Sequence, residues 1–398
     1  MLAASKIVLG VTGGIAAYKA AALTRLLVKQ GALVKVIMTD HAREFITPLT
    51  LQTLSGHPVA SEMFAPWQDD GMAHISLADY ADIMVIAPAT ANILGKIAGG
   101  LADDLLTTTI MATKAPVLLC PAMNANMLSQ ASVRENMEKL AARGYFVLAP
   151  AYGGLACKTE GAGRLPEIED IVEEIETMLT VKDLTGENIL VTAGPTREPL
   201  DPVRFITNYS SGKMGYALAI AAKRRGADVT LVSGPSALTF PQGVKCIGVS
   251  TAVEMRDAVL EHYAQATVVI KAAAVADYRP AVCAANKIKK RDDKLSLLLE
   301  RNPDIIAELG KNKGNRLLIG FAMETEDLIA NATSKMLKKN MDYIVANSIA
   351  RDGAGFQCDT NIVTIISRDG MSEDLPLLDK MQVADRILDK IRGRRQQI

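Results

Sequence analysis

Residues 188–215 read NILVTAGPTREPLDPVRFITNYSSGKMG, and after the apolar start they carry hydroxyl, amide and cationic side chains suited to an anionic substrate, six of which stand out. These are Thr196, Arg197, Asn208, Ser210, Ser211 and Lys213. An apolar strand that runs into such a loop just ahead of a helix turns free backbone N–H groups toward an anion, and the helix dipole adds to them. A second turn of this kind, KIVLGVTGGIAAYK, occupies residues 6–19. There Gly13 and Gly14 let the backbone approach a phosphate closely, and the following helix favours negative charge by about 0.3–1 kcal/mol. An ordinary tight strand-to-helix turn explains the same two glycines, because G-x-G-x-x-G is absent. Two cradles, each opening one half of the chain, predict two nucleotide-handling domains and two chemistries.

Other reactive side chains are spread along the chain. His74, in GMAHI, is either a proton-handling residue or a satisfied structural histidine. Asn124 follows the apolar run VLLC and Pro121, which puts it near the carboxyl end of a strand, facing a ligand crevice or simply forming a turn. Cys157 lies in the Gly-rich YGGLACKTEGAGRLP, a loop suited to a movable lid. In the second half, Lys287 belongs to the charge run KIKK, and Lys335 and Lys339 stand four apart on a predicted helix. Like charges at that spacing repel mildly, so a bound polyphosphate gives them a reason to coexist; an exposed helix face is the bland reading. Asp277 follows VVIKAAAVA at a predicted strand end, as a ligand to a base or ribose or as a cap.

Repeated strands and helices must position these residues. In the first half IVLGV, VKVIMT, IMVIAPA, APVLLCPAM and YFVLAP are short apolar runs expected of strands buried on both faces, with helices over 15–30 and 132–143. The second half restarts with NILVTA, DVTLVSG, VVIKAAAV and RLLIGFA, with helices over 214–225, 252–265 and 325–339. Each half therefore reads as a doubly wound α/β domain with ligands at the carboxyl ends of its strands. Residues 281–299 break the rhythm as an excursion from the sheet. An acidic helix near 167–179 and the polar stretch 180–187 form the boundary, giving domains over 1–182 and 188–398.

Composition narrows the function. The 398 residues carry 44 basic and 44 acidic side chains, and this balance argues against a general polyanion binder. Aromatic residues make up only 4%, too few for a stacking platform, so no nucleic-acid partner is expected. No apolar run approaches the roughly 18 residues of a spanning helix, and the N-terminus enters a strand directly, so the expectation is a cytoplasmic chain with no membrane partner. Cys120, Cys157, Cys246, Cys283 and Cys358 are scattered without a C-x-x-C pair and read as free thiols.

Taken in order, His74, PATAN at 88–92, PAMN at 121–124 and the Cys157 loop resemble the flavin-dependent cysteine decarboxylases that act on phosphopantothenoylcysteine. AGPTREPLDPVR, NYSSGKMG, AAAVADYR, KIKK, NPDI and GFAMET resemble phosphopantothenate-cysteine ligase. Together they span essentially the whole chain in the order of the bacterial bifunctional family of coenzyme A biosynthesis. The resemblance implies a flavodoxin-like first domain holding FMN near Gly13, Gly14, Thr39, Ala89, Thr90 and Asn92. Where related forms have Pro-Ala-Ser, this chain has Ala89-Thr90, which keeps the hydroxyl. It further implies that His74 handles a proton near the substrate thiol, Asn124 binds the departing carboxylate and Cys157 donates a proton. An ordinary cysteine carboxylate leaves no stabilised carbanion when it loses CO2. Oxidising the thiol-bearing carbon by hydride transfer to flavin puts a thiocarbonyl β to the carboxylate, and decarboxylation then yields an ene-thiol that is reduced and protonated.

For the second, Rossmann-like domain the resemblance implies CTP-dependent, Mg2+-assisted joining of 4'-phosphopantothenate to L-cysteine through an acyl-cytidylate. The 4'-phosphopantothenoylcysteine so formed is the substrate of the first domain. CTP is implied around Asp277, Lys287, Pro303, Asp304, Ile305, Ile306, Phe321, Lys335 and Lys339, with Asn208 handling the acyl-cytidylate. The metal ligands stay unknown, and a homo-oligomer with flavin sites between subunits is implied. Two other classes compete: an NAD(P)-dependent oxidoreductase with two Rossmann-like domains, and a non-enzymatic flavoprotein subunit. The missing dinucleotide fingerprint weighs against the first, and retention of His74, Asn124, Cys157, Asn208 and Lys287 against the second.

Overall fold

The computed structural model describes residues 2–64, 72–154, 160–289, 295–324, 328–348, 355 and 358–395. The chain divides into two compact units, Met1–Thr180 and Val181–Ile398. In the first, the strands Lys6–Val11, Leu33–Met38, Ile83–Ala89, Val117–Pro121 and Phe146–Val147 form one parallel sheet. Its spatial order is second, first, third, fourth, fifth, the flavodoxin-like arrangement. Side chains alternate across it. Leu9, Val36 and Val85 pack on one face with Leu23, Leu27 and Ile171. Val8, Ile37 and Met84 pack on the other with Leu77, Ile93 and Leu106. The direction of winding reverses between the first and third strands, which opens a crevice at their carboxyl ends.

Two expectations change in this unit. The fifth strand is only two residues long and edges the sheet, so Phe146 is exposed rather than covered on both faces. The helix over 15–30 opens as a 3-10 turn, Ile15–Tyr18, before the α-helix Lys19–Lys29, because Ala17 N–H bonds back to Gly14 C=O and tightens the first turn.

The second unit has an eight-stranded sheet. Its order is Lys245–Gly248, Asp228–Ser233, Asn188–Ala193, Val268–Lys271, Leu317–Glu324, Tyr343–Ser348, Val363–Ser367, Ser372–Asp374. The first six are parallel in Rossmann order, with the reversal between Asn188–Ala193 and Val268–Lys271. The last two are antiparallel, so the sheet is mixed at one edge. The run VVIKAAAV is a strand only over Val268–Lys271, because the alanines after it leave the sheet to line a cavity. The excursion over 281–299 springs from an antiparallel pair, Tyr278–Pro280 with Leu299–Arg301, outside the main sheet.

The polar stretch after Thr180 packs into the second unit rather than hanging between the two. Leu184 is fully buried, and its N–H donates to Arg225 C=O at 2.9 Å. Asp183 accepts two 2.8 Å hydrogen bonds from the buried Arg225 guanidinium, which hold its carboxyl below the usual carboxylate range. Thr267 Oγ1 donates to the Glu187 carboxylate. A fragment beginning at Asn188 is therefore expected to melt about 6–12 °C below one beginning at Val181, since losing a buried leucine alone costs about 3 kcal/mol. Equal melting temperatures in calorimetry would show that 181–187 contributes nothing to this unit.

Candidate functional site

At the crevice of the first sheet lies a cavity of about 960 Å3, walled by Thr12, Gly13, Gly14, Thr39, Thr90 and Asn124 among others. Thr12, at the end of the first strand, ties the reversal point together. Its Oγ1 donates to Pro88 C=O at 2.7 Å and accepts Thr90 N–H at 3.3 Å. Thr90 in turn caps the helix Ala91–Gly99 through Ile93 N–H, turning that helix N-terminus toward the cavity beside exposed Asn92. Gly13 is a close-approach position, since a Cβ there would lie 2.3 Å from His41 Cβ and 2.8 Å from its backbone carbon. Gly163, at φ +128°, lets the hairpin strand Glu160–Arg164 pass over the PAMN loop, where a Cβ would meet Met123 C=O at 2.2 Å. Met123 N–H bonds to Gly163 C=O at 2.9 Å, which fixes the start of the turn that carries Asn124.

Thr39 Oγ1 is buried beside the cavity without a hydrogen-bond partner among the described residues. A buried hydroxyl left unmatched costs free energy, so the site has a polar position for a bound group to fill. Cations stand on the wall: Lys19 and Arg164 share Glu167 at 3.7 and 2.9 Å. Lys96 pairs with Asp103 and Asp104 at 2.8 and 3.3 Å. A strand-to-helix turn with glycines, helix N-termini, an unmatched hydroxyl and nearby cations fit a phosphate-bearing planar cofactor.

Of the residues singled out for this unit, Gly13, Gly14, Thr39, Thr90, Asn92 and Asn124 converge on the cavity. Asn124 also caps the short helix Ala125–Ser129 through Asn126 N–H at 2.8 Å, so it lines the cavity and forms the turn at once. Ala89 does not line the cavity. It ends the third strand fully buried, and its carbonyl bonds Ala122 N–H at 3.1 Å, so it contributes backbone to the sheet and no wall. His74 lies in the helix Ala73–Tyr80, off the cavity wall; its Nδ1 is buried with no partner among the described residues. Cys157 lies outside the described residues. Thr12, Lys19 and Arg164 escaped the sequence reading; the only local signal was that they flank Gly-rich turns.

In the second unit, the start of the helix Lys213–Arg224 and the loop before it face a cavity of about 150 Å3 lined by Ser210, Ser211, Lys213, Ala274, Phe321 and others. Asn208 sits at its margin, where its Nδ2 donates to Ala274 C=O at 2.8 Å. Lys213 pairs with Asp359 at 2.6 Å. Thr196 is buried and accepts Ala276 N–H, while exposed Arg197 stacks over the Phe205 ring at 4.7 Å.

The residues associated with CTP do not all meet there. Phe321 packs with the cluster containing Ile319 on one face of the sheet. Ile305, Ile306 and Met336, from the helices next to Asp304 and Lys335, belong to the cluster on the other. Ile305 and Ile306 are buried core side chains, so only their backbone at the start of the helix Ile305–Lys311 is open to a ligand. Asp304 caps that helix and pairs with Lys339 at 2.7 Å. Burial works against its carboxylate, but the Lys339 and Ala307 hydrogen bonds outweigh it and keep the pKa below the ordinary value. Lys271, missed by the sequence reading, ends the strand Val268–Lys271 among them. Desolvation, with Lys339 and then Lys335 nearby, pushes its ammonium down to about 8, partly offset by Asp304 and Asp277. A lone lysine closing the apolar run VVIK was the available signal. Asp277 is exposed, with its backbone carbonyl accepting Asn302 N–H, and Lys287 is exposed on the excursion.

A flavodoxin-like unit with a cofactor-sized crevice, followed by a Rossmann-like unit with an anion-facing helix start, defines a two-part nucleotide-fold flavoprotein. Residues 1–180 match the flavoprotein family and residues 184–394 the DNA/pantothenate metabolism flavoprotein C-terminal domain family. The chain is 48% identical to the coenzyme A biosynthesis bifunctional protein CoaBC of Bacillus subtilis (strain 168) over 98% of its own length and 97% of the relative's. It is 46% identical to the protein of that name in Escherichia coli (strain K12), again over 98% and 97%. The crystal structure of the C-terminal domain of a coenzyme A biosynthesis bifunctional protein CoaBC is 46% identical, covers 55% of this chain and 100% of that one, and has a TM-score of 0.48. The chain belongs to the family of bifunctional coenzyme A biosynthesis proteins. These relatives do not favour an NAD(P)-dependent oxidoreductase. Among the described residues, no helix is long and apolar enough to cross a membrane.

Proposed function

We infer that this enzyme joins 4'-phosphopantothenate to L-cysteine in its second unit and decarboxylates the resulting 4'-phosphopantothenoylcysteine in its first, two consecutive steps of coenzyme A biosynthesis. The observation that carries the reading is the end-to-end match to the bifunctional relatives, with one candidate site in each half.

FMN is the cofactor we assign to the first unit, supported by the flavoprotein family match, the Gly13–Gly14 turn and the unmatched Thr39 hydroxyl. When bound, it would supply the electron sink that a plain cysteine carboxylate lacks, through hydride exchange with the thiol-bearing carbon. Gly13, Gly14 and the helix starts would hold its phosphate, with Lys19 and Arg164 adding positive charge. The Asn124 amide donates to the substrate carboxylate. His74 accepts the thiol proton, and Cys157 returns a proton to the ene-thiol. We further propose a cytoplasmic homo-oligomer in which His74 serves the cavity of a neighbouring copy. In support, His74 lies off its own chain's cavity wall and is flanked by exposed Met72 and Ile75.

In the second unit the substrate carboxylate attacks CTP, releasing pyrophosphate, and the cysteine amine then displaces CMP from the mixed anhydride. Mg2+ bound to CTP would neutralise charge on its phosphates. The Lys271, Lys335 and Lys339 ammonium groups oppose the rest, and Lys287 meets the reacting phosphate. Asn208 holds the acyl-cytidylate for aminolysis.

Purified enzyme supplied with 4'-phosphopantothenate, cysteine, CTP and Mg2+ is expected to be yellow and to release pyrophosphate, CO2 and 4'-phosphopantetheine. Release of pyrophosphate without CO2 from FMN-loaded enzyme would refute the decarboxylase assignment. The Gly13→Ala enzyme is expected to bind FMN about 10²-fold more weakly, because the added methyl meets the His41 backbone and closes the turn. Flavin titration by fluorescence quenching reads this directly, and unchanged affinity would remove the turn from the cofactor site.

A further inference from the structure

The arm of the second unit that carries Lys287 is held by a buried clasp. Asp201, only 2% exposed, sits between the hairpin strands Arg197–Pro199 and Phe205–Thr207. Its Oδ1 accepts the Val203 and Arg204 N–H groups, both at 2.9 Å. Its Oδ2 accepts Arg204 Nε at 3.0 Å, Arg204 Nη2 at 2.6 Å and Ile288 N–H at 3.1 Å. Arg204 Nη2 closes the ring by donating to Ile288 C=O at 3.0 Å. Both backbone groups of Ile288 are thus bound to one ion pair more than 80 residues away in sequence. Ala284 N–H, on the same arm, donates to Leu200 C=O at 2.9 Å.

A solvated charge run needs no such anchorage. Burying a carboxylate is costly unless its lone pairs are filled, and here five hydrogen bonds fill them. The Arg204 hydrogen bond, opposed by burial and aided by the three backbone N–H groups, keeps Asp201 ionised far below the usual carboxylate range. The same loop continues through Phe205–Thr207 to Asn208, so one element anchors the Lys287 arm and leads into the residue of the aminolysis step.

Resting on the reading that Lys287 meets the reacting phosphate of CTP, we propose that Asp201, acting with Arg204, is the positioning residue for Lys287. The ammonium stands on a long flexible stem, and pinning the peptide next to it removes backbone freedom that would otherwise be lost on reaching the transition state.

In the full-length enzyme, Asp201→Asn keeps the shape and loses the charge. Amide exchange in the peptide covering 284–289 is expected to quicken at least about tenfold. The kcat for pyrophosphate release is expected to fall about 10²-fold with the KM for CTP within about twofold. The Asp201→Asn, Lys287→Gln double variant is expected to be no slower than Lys287→Gln alone, because the clasp acts through that lysine. Arg204→Gln, which opens only the guanidinium side of the clasp, should show the same pattern more weakly and serves if Asp201→Asn does not fold. Unchanged exchange, or full pyrophosphate release from a loosened arm, overturns the proposal. So does a double variant slowed by the product of the single effects. Full activity of Lys287→Gln by itself would instead overturn the Lys287 reading on which the proposal stands, and exchange in Asp201→Asn would still report whether the clasp holds the arm.

Discussion

The His74→Asn enzyme is expected to keep its flavin and to lose decarboxylation by about 10²- to 10⁴-fold, the range that a positioned proton-transfer group supplies. Its side chain lies off the cavity wall, so removing the imidazole leaves the cradle of Thr12, Gly13, Thr39 and Thr90 intact. An asparagine preserves rough size and hydrogen bonding but cannot take a proton near neutral pH. Nδ1 is buried without a hydrogen-bond partner among the described residues. The measurement is CO2 release from supplied 4'-phosphopantothenoylcysteine, with flavin content and absorbance as the control. Loss of flavin together with activity would make His74 a structural residue of the cofactor site. Normal CO2 release would remove it from the reaction.

Asn208→Asp is expected to release pyrophosphate yet form amide about 10²- to 10³-fold more slowly, the scale for losing one oriented donor. Asn208 donates through Nδ2 to Ala274 C=O, and Ala274 N–H is itself held by Gly194 C=O at 2.9 Å. A carboxylate has no donor for that carbonyl, and it adds negative charge beside an anionic acyl-cytidylate. Lys335 and Lys339 stand on or just after the helix Leu328–Lys338, whose Ala332 and Met336 pack on the opposite face of the sheet from Phe321, so their part in CTP use should continue. Quenched-reaction mass spectrometry should then find accumulated acyl-cytidylate. Amide formation at the wild-type rate under saturating substrates would end the proposed role, as would failure to release pyrophosphate at all.

Much of the architecture was legible because its causes are local. The runs IVLGV, IMVIAPA and ILVTA are buried throughout and almost wholly apolar, as central strands covered on both faces must be, and the turns at Gly13–Gly14 and at Gly212 lead into helices. Motif order was enough to indicate two activities on two nucleotide folds. It was also enough to gather Gly13, Gly14, Thr39, Thr90, Asn92 and Asn124, since each stands at or just after a strand's carboxyl end.

What the tertiary structure alone decided were the contacts made across long sequence separations and the face to which a side chain turns. Thr12 meets Pro88 and Thr90 only because the first and third strands are neighbours. Lys271 owes its depressed pKa first to its burial and then to Lys339 and Lys335, which the fold brings beside it. Ile305 and Ile306 read as part of a binding motif, yet the helix they start packs them inward, whereas Asp304 beside them caps the helix and pairs with Lys339. Residues 183–187 look like a polar linker because Asp183 and Glu187 are charged; their partners, Arg225 and Thr267, come from elements 40 to 80 residues onward. KIKK looks like a solvated run until Asp201 and Arg204 are seen gripping Ile288. Residue type and periodicity report the environment a segment needs, while the identity of a distant partner depends on how the whole chain closes its sheet, and no local pattern encodes that.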